Sequence, residues 1–370
     1  MSTNTTLQPV LPFVFNGLTI PSDCRRIFIT ADLEPSNGNP LIQPTGFPDV
    51  GPVLYPDPAK KDGLICLIES EASMANRLEE VCFSNKYEGT LDNTFMGLPY
   101  LKAQTGTGAT AVLKTTSTLD GHRFASDFLA KGTANFGTGN KTLAEHIKTT
   151  LDMAADGKTM PIANVPNVFP LVLSLDTMSL IHGFQVSNEQ IKFVGLRLPR
   201  ALSASIIGLG CERISVPGIK FNVGQVESES GQAIFQKARI TAKKTEAHFS
   251  IDVGLLTSLR LDTPGENGAP GQHQAARAQL LLAIALWKVA AFLKLLSVEL
   301  SLRTECKLRL KKDDKGELAI AKLEGGATPS EQSFPFMTIA AATFAGDNGL
   351  IALANIPGTV AERSPRVLQF

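Results

Sequence analysis

The sequence predicts an α+β fold built on a mostly antiparallel sheet. Three observations predict it. Leu300 to Lys311 alternates strictly, with Leu300, Leu302, Thr304, Cys306, Leu308 and Leu310 on one side and Ser301, Arg303, Glu305, Lys307, Arg309 and Lys311 on the other. That is a strand with one buried and one charged face. Ala275 to Ser297 is apolar for the length of a long helix. The order of elements is strand, loop, helix, large insertion, strands, helices and hairpin, which lacks the regular strand–helix alternation of a doubly wound sheet.

Residues 1–22 read as a polar arm and 23–370 as a single domain. Ile27, Ile29, Ala31 and Leu33 alternate with other neighbours, so Arg26 to Leu33 is the first strand. Glu34 to Asp62 is rich in Pro, Gly and Asn and reads as an ordered loop. Within it, Gln43-Pro44-Thr45-Gly46-Phe47-Pro48-Asp49 is stiff and tightly turned. Such a loop beside a strand edge either holds a partner or seals a core. Leu64 to Ile68 is a buried strand. Ser70 caps the next helix, where Met74, Leu78, Val81 and Cys82 share a face.

From Tyr87 to Asn167 Gly, Thr, Asn and Ala dominate, as in a large insertion; Gly121 to Ala130 and Thr142 to Ala155 read as its helices. Phe169 to Leu175 reads as an apolar strand, and Leu180 to Phe184 as a strand or a turn. Pro199 precedes a short helical run, Arg200 to Ile207. Gly208 to Gly231 reads as a protruding hairpin. Phe249 to Arg260 reads as a helix, and Thr263 to Gln272 as a loop. Asp314-Lys315-Gly316 turns the chain into a partner strand near Leu318 to Leu323.

Composition narrows the function. The chain has 370 residues, 43% of them hydrophobic, enough for a sizeable core. Formal net charge is zero, which argues against gripping nucleic acid by bulk charge but leaves room for a local basic patch. Five dispersed cysteines fit free thiols in a reducing cytosol, so the expected location is cytoplasmic. Ala278 to Val298 is interrupted by Lys288 and Lys294, which suits a core helix rather than a membrane span.

Signatures of catalysis are weak. Gly106-Thr107-Gly108 lacks the third glycine of a dinucleotide fingerprint, and Asn140 stands where a phosphate loop needs glycine. No His or Cys spacing suits a metal, and no nucleophile elbow occurs. No cofactor is expected. The basic residues are better organised: Lys192 to Lys244 holds nine Lys and Arg against three Glu, a surplus of six. This reads either as a groove for a polyanion or as a solvated face. Arg77, offset from the Met74/Leu78 stripe, is placed to reach a phosphate through its planar fork.

Five ordered segments resemble one family. They are Gln43 to Asp49, Glu69-Ser70 with Ser73 to Glu79, Leu180 to Gly183, Leu196 to Ala204, and Phe249-Ser250-Ile251-Asp252 running to Arg260. Together they look like the backbone (Cas-seven-type RAMP) subunit of type I-G, formerly I-U, CRISPR surveillance complexes, over roughly residues 25–310. The resemblance implies a modified RNA-recognition-motif (ferredoxin-like) palm with inserted elements: fingers near 87–167 and a thumb near 208–231. It implies a non-catalytic subunit that holds the sugar-phosphate backbone of a guide RNA and stacks with further copies of itself. It also implies contact with other complex subunits, pairing of the guide with target DNA, and no membrane.

A subunit that accepts any guide must contact phosphate and sugar rather than bases. The residues placed in that role are Arg77, Arg197, Arg200, Lys243 and Lys244. Gln43, Thr45, Gly46, Asn76 and His182 are placed as groove-shaping residues. Arg197 and Arg200 have a rival reading as structural ion pairs, and His182 as a hydrogen-bonded core histidine. Two other functions compete. A metal-dependent ribonuclease would use a loop aspartate, for which Asp49 is the candidate. A purely structural self-assembling protein would hold no nucleic acid.

Overall fold

The main sheet is organised around β1 (Arg26–Pro35), the strand expected first in the chain. The other strands are β2 (Leu54–Pro56), β3 (Leu64–Glu69), β4 (Leu202–Leu209), β5 (Lys244–Asp252), β6 (Leu300–Arg303), β7 (Cys306–Leu310), β8 (Ala319–Glu324) and β9 (Ser330–Ser333). The spatial order is β6-β7-β1-β5-β4-β3-β2, with β8 lying along β1 beyond β7 and β9 on β8. Every pairing in this sheet is antiparallel. The computed structural model describes residues 9–47, 51–60, 63–121, 123–137, 139–214, 219–220, 234–235, 239–262, 271–303, 305–313, 316–317, 319–325, 330–336, 344, 349–357 and 365–370.

Two helices cover one face of the sheet. Helix α1 (Glu71–Glu80) starts where the Ser70 side chain accepts from the Ser73 N–H, and it buries Met74 and Leu78. Helix α2 (Gln274–Leu296) is apolar nearly all round and is long enough to cross a bilayer, yet its most apolar window is 78% buried inside the fold. A helix buried on most sides needs no polar face. Against these helices the sheet presents Ile27, Ile29, Ala31 and Leu33 from β1 and Phe249 and Ile251 from β5. Phe249 meets Phe292 of α2 edge to face, with ring centroids 5.9 Å apart. The alternate residues Thr30, Asp32, His248 and Ser250 lie on the other face, half-buried.

Several local expectations are corrected. Residues 168–175 form a helix, not a strand, and Val168, Leu171, Val172 and Leu175 are buried. A short run that is apolar throughout satisfies both periods, so pattern cannot choose. Arg200 to Ile207 is not helical; β4 runs through it with Leu202, Ala204 and Ile206 inward and Ser203 and Ser205 outward. Phe249 to Arg260 is not one helix. β5 continues to Asp252, whose carboxylate accepts from the Leu255 N–H at 2.8 Å and caps a short helix, Val253–Ser258. Leu300 to Lys311 is two strands, a hairpin, and the pairing of Leu300 with Leu308 keeps the leucines on one face. Leu180 to His182 belongs to a one-turn helix, Ser179–His182.

The N-terminal arm is corrected in part. Phe13–Phe15 and Leu18–Ile20 form a hairpin, and Phe15, Leu18 and Ile20 are buried in the core. The large insertion carries its own sheet, in the order 112–116, 101–105, 366–369, 133–135, 140–142. Its central strand is the C-terminal Arg366–Gln369, parallel to Leu101–Thr105. The helix expected over Thr142 to Ala155 spans Leu143–Thr150, with Thr142 and Glu145 in a capping box. Of the hairpin expected from Gly208 to Gly231, Glu212–Ile214 pairs with Arg239–Thr241 and Ile219–Lys220 with Ile234–Phe235; residues 215–218 and 221–233 lie outside the described residues.

Candidate nucleic-acid interface

A cleft of about 470 Å³ opens between α1, the end of the 179–182 helix, and the hairpin Phe184–Ser187/Lys192–Leu198. Its lining includes Asn76, Arg123, His182, Gly183, Arg197 and Arg200. Local geometry explains the convergence. Gly183 has φ +76°, and a Cβ there would lie 2.5 Å from the Leu198 carbonyl oxygen, so only glycine lets the two segments close. Gln185 then pairs with Arg197 across the hairpin. The Ala201 N–H donates to the Ile181 carbonyl at 2.8 Å, which brings Arg200 back beside the histidine.

Arg197 and Arg200 are exposed, and neither has an ion-pair or hydrogen-bond partner among the described residues. Most other arginines are occupied: Arg26 by Asp252, Arg123 by Glu79, Arg239 by Glu305, Arg277 by Asp262, Arg309 by Glu34. The structural ion pairing considered for Arg197 and Arg200 is therefore absent among the described residues. Two free guanidinium groups on the rim of one cleft suit a bidentate oxyanion.

The floor is a buried polar network. Arg123 has φ +48° and is 5% exposed. It donates to the Gly183 carbonyl and the Ser117 carbonyl, each at 3.0 Å, and to the Glu79 carboxylate of α1. Burial pushes the Glu79 carboxyl above its ordinary range, while Arg123 and Lys288 oppose that shift. Lys288 sits fully buried midway along α2, with Nζ 2.8 Å from His182 Nε2. Burial, then the Lys288, Arg123 and Arg200 charges, hold the His182 imidazole well below its usual range, so it is neutral. His182 is thus a core histidine by burial and a cleft residue by position.

The remaining candidates are not in this cleft. Arg77 lies 3.3 Å from Glu69, a buried carboxylate that Ser73 and Arg303 also donate to. It lines a separate groove of about 900 Å³ with Trp287, Phe292 and Leu300. Lys244 bridges Asp32 at 3.0 Å and Glu246 at 2.6 Å, whereas Lys243 is exposed and its stem packs against Gly210. Gln43 and Thr45 are tied down by backbone bonds, to the Glu305 carbonyl at 3.1 Å and the Ile68 carbonyl at 2.9 Å. Gly46 opposes Pro52 so closely that a Cβ would meet the Gly51 carbonyl oxygen at 2.4 Å. This part of the stiff loop braces the sheet edge. Asp49, the aspartate considered for RNA cutting, lies outside the described residues.

Sequence reasoning missed Arg123 and the role of Lys288. Nothing local marks Arg123, because its partners are 6, 44 and 60 residues away. Lys288 did leave a signal: a lysine midway along an otherwise apolar helix needs a partner inside the core.

Comparison with known families now places the chain. The profile of the CRISPR-associated protein GSU0053 family matches residues 27–213. The chain belongs to that family. The match contains four of the five segments that carry the resemblance to Cas-seven-type subunits, and all of Asn76, Arg123, His182, Arg197 and Arg200. No curated protein matches.

Proposed function

We propose that this CRISPR-associated chain is a non-catalytic backbone subunit of a type I-G surveillance complex. It binds the sugar-phosphate backbone of the guide RNA, stacks with further copies of itself, and presents the guide for pairing with target DNA. The observation that carries the reading is the pair of arginines, Arg197 and Arg200, without ion-pair partners among the described residues, on the rim of a cleft built from family-matched segments. The fold is compatible with a ferredoxin-like palm. Taking β1, α1, β4, β5, α2 and β7 in chain order, the four strands lie as fourth, first, third, second, with both helices on one face. The opposite sheet face carries charged and hydroxyl side chains with Phe28 as its aromatic on β1, which favours backbone contact over base stacking.

The test is affinity for unrelated single-stranded RNAs at rising salt. Log affinity is expected to fall with log salt by about 0.7 per phosphate neutralised. Arg197→Ala and Arg200→Ala are expected to weaken all sequences alike and to reduce that slope. A salt-independent affinity, or variants that lose only one sequence, would overturn the reading.

A further inference from the structure

The buried floor of the cleft holds a polar atom, His182 Nδ1, with no hydrogen-bond partner among the described residues. Lys288 Nζ sits on a fully buried stem, and a lysine side chain is by type a donor. At 2.8 Å it therefore uses the lone pair of His182 Nε2. A neutral imidazole whose Nε2 accepts must carry its proton on Nδ1. That Nδ1 is buried and has no partner among the described residues. An unmatched buried N–H is costly and rare, and in a native structure it asks for a missing acceptor.

The groups around His182 do not supply one. The Glu79 carboxylate is held by Arg123 through Oε1 and makes no hydrogen bond to Nδ1. The Asp176 carboxylate accepts from the Met178 N–H at 3.0 Å and the Ser179 hydroxyl at 2.7 Å. Lys288, Arg123 and Arg200, the cations facing the ring, are donors. The acceptor has to come through the cleft that His182 lines, past the two free arginines on its rim. A group with several anionic oxygens suits both levels.

We propose that the cleft floor is a phosphate subsite in which His182 Nδ1–H donates to one oxygen of a phosphate group while Arg197 and Arg200 hold the others. Lys288 is its positioning residue, fixing the tautomer from behind. The subsite rests on the RNA-binding reading only for the source of the phosphate, a nucleic-acid backbone rather than the free ion.

The experiment uses the whole chain with nitrogen-labelled histidine, followed by NMR during titration with inorganic phosphate and, separately, with a single-stranded RNA oligonucleotide. RNA binding is read in the same samples by anisotropy. The free protein is expected to show His182 protonated on Nδ1 at neutral pH. The Nδ1–H signal is expected to move downfield and exchange more slowly when phosphate or RNA binds. Lys288→Met is expected to release the tautomer, and His182→Ala to cost about tenfold or more in affinity. RNA that binds while the signal stays put overturns the subsite and leaves the RNA reading intact. A response to phosphate with no RNA binding supports the subsite and overturns the RNA reading. An Nε2-protonated ring in the free protein, or silence to both ligands, overturns the subsite.

Discussion

At the scale of single residues, Arg123 does the most. One guanidinium joins the insertion, through the Ser117 carbonyl, to α1 through Glu79 and to the cleft wall through Gly183. Replacing it with alanine strands a buried carboxylate and two carbonyls. The expected loss is about 3–5 kcal/mol of stability, measured by chemical denaturation. Glu79→Ala combined with Arg123→Ala is expected to cost less than the sum of the two, because the second change removes the stranded charge. Additive losses would show that the pair is not a unit. The contrast with Arg77 is informative. Both arginines are bound to glutamates, but Arg77 keeps partial exposure and sits in a different groove. Exposure judged from helical spacing was right for Arg77; the direction it faces was beyond that argument.

At the scale of elements, the turn at Gly183 sets the cleft. Its positive φ and the close approach of the Leu198 carbonyl leave no space for a side chain. Gly183→Ala is expected to cost about 1–3 kcal/mol in backbone strain, visible as a lower melting temperature. The same change pushes the hairpin bearing Arg197 away from Arg200, so RNA affinity is expected to fall further than for a destabilising substitution of similar size elsewhere. Equal affinity in the variant would mean the two arginines act independently of the turn. The elements also show where pattern reasoning is strong. The alternation in β1 and the capped start of α1 agree with the structure because each rests on neighbours a few residues apart. The 168–175 run satisfies either period because it is apolar nearly throughout, whereas β4 keeps the strand alternation Leu202-Ser203-Ala204-Ser205-Ile206, which outweighs the helix-start preference of Pro199.

At the scale of the molecule, the C-terminus completes the insertion. Arg366–Gln369 lies between Leu101–Thr105 and Thr133–Asn135, and Leu368 is fully buried there. A charge at that position cannot be hydrated, so Leu368→Asp is expected to open this small sheet. Hydrogen exchange is expected to accelerate at 101–105 and 133–135 while β1 and β5 keep their protection. Equal acceleration in β1 would show that insertion and main sheet unfold as one unit.

By itself the sequence determined the α+β class, the first strand, the two main helices, the family, and a surplus of basic residues between Lys192 and Lys244. Each is written in spacing, in composition or in short ordered motifs. Only the tertiary structure decided which basic residues stand free. Among the described residues Arg197 and Arg200 have no ion-pair partner while Lys244 sits between two carboxylates, and His182 meets Lys288 across 106 residues. The physical reason is that whether a charge is available depends on the acid beside it in space, and sequence spacing does not carry that distance.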